Sequence, residues 1–80
     1  MRRIVVRAPA CGADTITYLK RVLRIQAEEL QAGERAEFLF DAERFPFAAA
    51  IFDSLLTGAG LRVMGAREAD GSRVFEVEKV

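Results

Sequence analysis

Residues 15–30 read TITYLKRVLRIQAEEL, and this run contains the clearest structural pattern in the chain. Its apolar side chains recur every three or four positions, the spacing of one face of an α-helix. That apolar face consists of Ile16, Leu19, Val22, Leu23, Ala27 and Leu30. Asp14 or Thr15 can serve as the N-cap, and Gly33 can supply a left-handed C-terminal cap. The pattern predicts a helix over residues 15–31.

Extended segments lie on both sides of this helix. Residues 3–8 contain the β-branched run Ile4 to Val6 and end before Pro9 and Gly12, which predicts a buried strand. Residues 35–41 place Ala36, Phe38 and Phe40 on one side, which predicts a second strand.

The rest of the chain contains a second helix and a hairpin. Two apolar stripes predict a helix over residues 46–57, with Pro46 near its start and Gly58 and Gly60 stopping it. Residues 61–68 and 74–79 then form two strands joined by a tight turn at Asp70-Gly71. Phe75 and Val77 are expected to face the core.

The order β-α-β-α-β-β predicts one α+β domain over residues 1–80, built as a two-layer sandwich. Each strand-helix-strand passage favours parallel pairing, and the short hairpin makes the last two strands antiparallel. Two helices are expected on one face of a mixed four-stranded sheet. The other face would stay partly open for a partner or for a second copy in a homodimer.

Composition excludes several classes of function. The chain is 51% hydrophobic and 30% charged, with 12 basic and 12 acidic residues, which is typical of a small soluble domain. It has no histidine and only one cysteine, so it can form neither an internal disulfide nor a zinc site of the usual kind, and no metal is expected. The longest apolar run, residues 47–52, is too short to span a membrane, and a free thiol favours a cytoplasmic location.

Basic residues are concentrated in the first 24 positions, where six of them accompany the single acid Asp14. Lys20, Arg21 and Arg24 fall on the polar arc of the first helix. They predict a surface that binds an acidic partner, although a solvated helix face is an alternative explanation.

Cys11 stands between the first strand and the first helix. Backbone N–H groups at a helix N-terminus favour a thiolate, so Cys11 is the candidate reactive residue. A small apolar residue packed at the strand end is the alternative role.

Together with the order of elements, these positions resemble the TusA-like (SirA-like) sulfur carrier family. Cys11, the pair Gly33-Glu34, Gly60 and the Asp70-Gly71 hairpin occupy places comparable to family features. The resemblance covers nearly the whole chain. It implies that Cys11 accepts sulfane sulfur as a persulfide and passes it to an acceptor protein, with no bound metal or organic cofactor. The implied donor is a protein of the cysteine desulfurase or rhodanese type.

The family motif Cys-Pro-x-Pro is replaced here by Cys11-Gly12-Ala13-Asp14. Gly12 and Asp14 would therefore shape the loop in place of the two prolines, and Asp14 brings a negative charge near the thiol. A non-catalytic TusA-like interaction or regulatory module is the alternative function. A nucleic-acid-binding module is the least favoured one, since only topology suggests it.

Overall fold

The computed structural model describes residues 2–7 and 14–80. The elements are β1 (Arg2–Val6), α1 (Thr15–Glu28), β2 (Arg35–Asp41), α2 (Ala49–Gly58), β3 (Leu61–Ala69) and β4 (Ser72–Lys79). Two helices accompany one four-stranded mixed sheet, as predicted. Among the described residues, no helix combines the length and the apolar character needed to cross a membrane.

The strands lie in the order β1-β2-β4-β3. β1 pairs with β2 in parallel, and β4 is antiparallel to both of its neighbours. The first strand-helix-strand passage thus gives the expected parallel pair. The passage β2-α2-β3 does not give a parallel pair, because β4 lies between β2 and β3. β4 contributes the buried residues Val74, Phe75 and Val77, which suits a central strand. β3 carries charged residues that suit an edge.

The core lies between the helices and one face of the sheet. On that face Phe38 pairs with Phe75 and Ala36 with Val77 across β2 and β4, and all four are buried. The predicted core positions Phe75 and Val77 are therefore confirmed. The helices cover this face with fully buried residues of their own, Leu19, Leu23 and Ala27 from α1, and Phe52 and Leu56 from α2.

The end of α1 differs from the prediction. The helix ends at Glu28 rather than at residue 31, and the chain then turns so that Leu30 is buried. Gly33 does have a positive φ of 85°, but it lies beyond the helix cap. Its N–H donates to the carbonyl of Lys79 at 2.8 Å. Gly33 therefore shapes the turn that leads into β2. Its hydrogen bond to Lys79, a residue distant in sequence, takes the place of the expected C-terminal cap of α1.

The start of α2 also differs, because the helix begins at Ala49 and not at Pro46. Phe45 is fully buried and packs edge-to-face on Phe40, with ring centroids 6.0 Å apart. The Phe47 carbonyl accepts a hydrogen bond from Arg73 Nη1 at 2.8 Å. These contacts hold residues 45–48 outside the helix.

The bounds of β2 are those predicted, and the observed bounds of the other strands differ from the prediction by one or two residues. β1 is observed to Val6, and Ala8, the predicted end of that strand, lies outside the described residues. The turn between β3 and β4 is confirmed at Asp70 and Gly71, whose φ angles of 50° and 77° are those of a type I′ turn.

The sheet face away from the helices, called here the open face, carries ion pairs. Arg67 contacts Glu37 at 2.8 Å and Glu76 at 3.4 Å, and Arg3 contacts Glu37 at 3.6 Å. Glu78 pairs with further arginines on the same face. Arg67 holds the pKa of Glu37 below its ordinary value, chiefly through its hydrogen bond to that carboxylate. A homodimer through this face stays a prediction.

Candidate functional site

The predicted site residues Cys11 and Gly12 lie in residues 8–13, outside the described residues. The structure does describe both ends of this connection. Val6 ends β1 and is buried, Arg7 follows it, and Asp14 precedes the first turn of α1.

Asp14 is the N-cap of α1, which confirms it over Thr15 in that role. Its Oδ1 accepts hydrogen bonds from the N–H of Ile16 at 3.0 Å and from the N–H of Thr17 at 3.4 Å. Its Oδ2 accepts one from the Thr17 hydroxyl at 2.9 Å. The Thr17 hydroxyl bond, followed by these backbone bonds, holds the pKa of Asp14 below its ordinary value. The positive charge of Lys20 acts in the same direction.

The Asp14 cap changes the electrostatics at the end of the connection between β1 and α1. The N-terminus of a helix carries a partial positive charge that stabilises anions. The Asp14 carboxylate already uses two of the N–H groups there. The end of the connection at α1 therefore already holds a negative charge.

Tyr18 joins the two ends of the connection, and the sequence analysis missed it. Its hydroxyl donates to the carbonyl of Arg7 at 2.8 Å, linking the end of β1 to the first turn of α1. The available signal was a polar-tipped aromatic residue at the border of the apolar helix face, because such a side chain can pack while its hydroxyl finds an acceptor.

The predicted partner-binding residues Lys20, Arg21 and Arg24 are all exposed on α1, where they border two different depressions of the surface. Lys20 and Arg24 line a groove between α1 and α2. Arg21 borders a separate surface together with Asp14 and Tyr18. Within the described residues, none of the three basic side chains forms an ion pair.

Metal binding has no structural support among the described residues, since they contain no group of three or more Cys, Asp or Glu side chains placed to hold an ion. Cys11 lies outside the described residues, so the prediction of a metal-free site stays a prediction.

No protein-family model matches the chain, and no curated protein matches it. Two solved structures are similar in fold. The antibiotic-resistance methyltransferase Kmr has a TM-score of 0.60 at 17% identity, over 98% of this chain. The chain spans 49% of the length of that methyltransferase.

The second similar structure is HP1264 from Helicobacter pylori, with a TM-score of 0.58 at 19% identity over 99% of this chain and 97% of HP1264. At these identities both likenesses concern the fold alone, because one fold can host unrelated functions. The described part of the chain thus adopts a known α+β fold in which the β1-α1 connection has capped and tethered ends.

Proposed function

We propose that this chain is a small cytoplasmic sulfur carrier that holds sulfane sulfur as a persulfide on Cys11. The observation that supports the proposal best is the position of the only cysteine within the fold. Cys11 falls in the short connection from β1 to α1, and this connection runs between a tethered strand end and a capped helix start. Loops often carry functional residues, and the vicinity of a helix N-terminus favours the thiolate form of a cysteine.

The transfer needs no cofactor. The Cys11 thiolate attacks the terminal sulfur of a donor persulfide, forms a new S–S bond and releases the donor cysteine as a thiolate. Delivery reverses these roles, because an acceptor nucleophile attacks the terminal sulfur and Cys11 leaves as a thiolate. The charge is conserved in each step, so neither step requires an outside oxidant or reductant.

Intact-mass analysis tests the proposal after incubation with a cysteine desulfurase and cysteine. We expect the wild-type protein to gain the mass of one sulfur atom, and we expect the Cys11→Ser variant to gain none. A thiol reductant should remove the added mass. This step matters because two oxygen atoms on Met64 would add almost the same mass but would not be removed.

The outcome that contradicts the proposal is the absence of a Cys11-dependent adduct under conditions that load a known carrier. Alkylation provides a second measurement. At neutral pH, Cys11 should react faster than a free cysteine, and replacing Asp14 with Asn should increase that rate, since the amide keeps the cap acceptor and removes the charge.

The donor and acceptor proteins are expected to approach α1, whose exposed basic residues Lys20, Arg21 and Arg24 favour an acidic surface. Reversing all three charges should slow association with such a partner strongly at low salt and weakly at high salt. An equal effect at both ionic strengths would indicate damage to the fold instead.

A non-catalytic interaction or regulatory module is the second candidate. It is favoured by Asp14, which stands at a motif proline position and already occupies N–H groups at the start of α1. This function predicts that the Cys11→Ser variant binds the partner as well as the wild type does. It also predicts that the wild type is not loaded with sulfur.

A further inference from the structure

The groove between α1 and α2 has a basic wall and an apolar wall. Lys20 and Arg24 stand one helical turn apart on α1, so both side chains reach the same groove. The opposite wall comes from the second half of α2 and the residue after it. The residues that line the groove are Lys20, Arg24, Ser54, Leu55, Gly58 and Ala59.

The two basic residues have no counterion of their own among residues 2–7 and 14–80. Glu28, one turn beyond Arg24, makes no ion pair with it. The arginines of the open face, by contrast, are paired with Glu37, Glu76 and Glu78. Two like charges one turn apart destabilise a helix, so this pair needs a reason beyond the stability of α1.

Capping of α2 does not supply that reason. Cations near the end of a helix can stabilise its last carbonyl groups. Here the carbonyls of Leu55 and Leu56 accept the Ala59 N–H at 3.2 and 3.1 Å, and the Thr57 carbonyl accepts the Gly60 N–H at 3.1 Å. These carbonyls are satisfied without Lys20 or Arg24.

Gly58 lines the groove at the end of α2. It is the last residue of that helix, and its φ is not in the positive range that favours glycine. A Cβ atom built on Gly58 would meet nothing within 4 Å. Packing of the chain therefore does not require glycine at this position, and a larger side chain would extend into free space beside the groove.

We propose that this groove binds the phosphate monoester group of a small molecule whose apolar part packs on Leu55 and Ala59. The Lys20 ammonium, the Arg24 guanidinium and the Ser54 hydroxyl are hydrogen-bond donors on facing walls. A phosphate monoester offers three acceptor oxygens and nearly two negative charges to such a set. An extended acidic peptide would also engage Arg21, which does not line the groove. The site does not depend on Cys11.

NMR titration at constant ionic strength tests the proposal with phenyl phosphate as the probe. We expect saturable shifts at Lys20, Arg24, Ser54 and Ala59, with weaker binding of inorganic phosphate, which lacks the apolar part. Arg24→Gln should weaken phenyl phosphate binding by about tenfold, as expected for loss of a charged hydrogen bond. Arg21→Gln makes the same change three residues away and should leave the affinity nearly unchanged.

Filling the groove is an independent test. Gly58→Ala should retain the fold and the binding, whereas Gly58→Leu should retain the fold and abolish the binding, because its side chain occupies the groove. Equal losses in Arg24→Gln and Arg21→Gln would overturn the proposal, since they would indicate diffuse attraction to α1. Absence of saturable shifts would overturn it too, as would a glutamate-rich peptide that shifts these residues when phenyl phosphate does not.

Discussion

Asp14 stabilises the start of α1, but its negative charge disfavours the thiolate proposed for Cys11. Its carboxylate satisfies the N–H groups of Ile16 and Thr17 and accepts the Thr17 hydroxyl. The sequence indicated both roles, since Asp is a preferred N-cap residue and carries a charge. The sequence did not indicate that the second carboxylate oxygen of Asp14 accepts the Thr17 hydroxyl, because this bond depends on the side-chain conformations of both residues.

Asp14→Asn should change how stability depends on pH. The pKa of Asp14 is held below its ordinary value of 3.8 in the folded protein, mainly by the Thr17 hydroxyl. The carboxylate therefore stabilises the fold above pH 3.8, and this contribution is lost as the pH falls through the lowered pKa. Asn keeps an acceptor oxygen but does not titrate.

Chemical denaturation at a series of pH values around 3.8 measures this effect. The difference in the free energy of unfolding between the wild type and Asp14→Asn should shift in favour of the variant as the pH falls. A difference that stays constant across this range would contradict the role given to the carboxylate.

At the level of single elements, the interiors of the helices, the start of α1 and the end of α2 were predictable, whereas the end of α1 and the start of α2 were not. Leu19, Leu23 and Ala27 of α1 are fully buried, as their spacing requires. The end of α1 differs because Gly33 is used in a turn that bonds to Lys79, far away in sequence. The beginning of α2 differs because Phe45 is drawn into the core.

The two glycines at the end of α2 should respond to alanine in opposite ways. Gly60 has a φ of +89°, so Gly60→Ala should destabilise the protein by roughly 1–2 kcal/mol. Gly58 is the last residue of α2 and has room for a Cβ without a positive φ, so Gly58→Ala should stabilise the protein by roughly 0.4–1 kcal/mol, because alanine restricts the unfolded chain.

Urea unfolding of both variants and of the wild type provides the measurement. Neither new methyl group meets another atom within 4 Å, so the contrast isolates backbone conformation from packing. A change of the same sign in both variants would show that the end of α2 is not arranged as described.

Across the whole molecule, stability is expected to come from the layer of apolar side chains between helices and sheet. Phe40, Phe52 and Phe75 meet there, with ring centroids 4.6 to 5.8 Å apart. The ion pairs of the open face join half-exposed arginines to carboxylates of which some, such as Glu37, are mostly covered. Because one partner of each pair reaches water, each pair contributes little individually.

Leu23→Ala should lower the free energy of unfolding by about 2–5 kcal/mol, because Leu23 is fully buried and its loss leaves a cavity between α1 and the sheet. Ile25→Ala is the matched control, since Ile25 lies on the same helix and is 50% exposed. That substitution should cost much less. Similar losses for both variants, measured by denaturant titration, would contradict this placement of the core.

Local patterns were enough to predict the six elements, the core face of α1 and the hairpin at Asp70-Gly71. These features depend on the spacing of apolar side chains and on the few residues that tolerate positive φ, and both can be seen in a short window of sequence. They also led to the prediction of a mixed sheet with two helices. The candidate role of Cys11 came from its place in that order of elements.

Contacts between distant segments determined the rest. The position of β4 between β2 and β3 and the turn at Gly33 depend on which surfaces meet after the chain has collapsed. The groove that Lys20 and Arg24 line depends on the same contacts. Periodicity places a residue on one face of a helix but does not say which neighbour that face meets. The groove beside Gly58 exists for this reason, because it forms only where α2 packs beside α1.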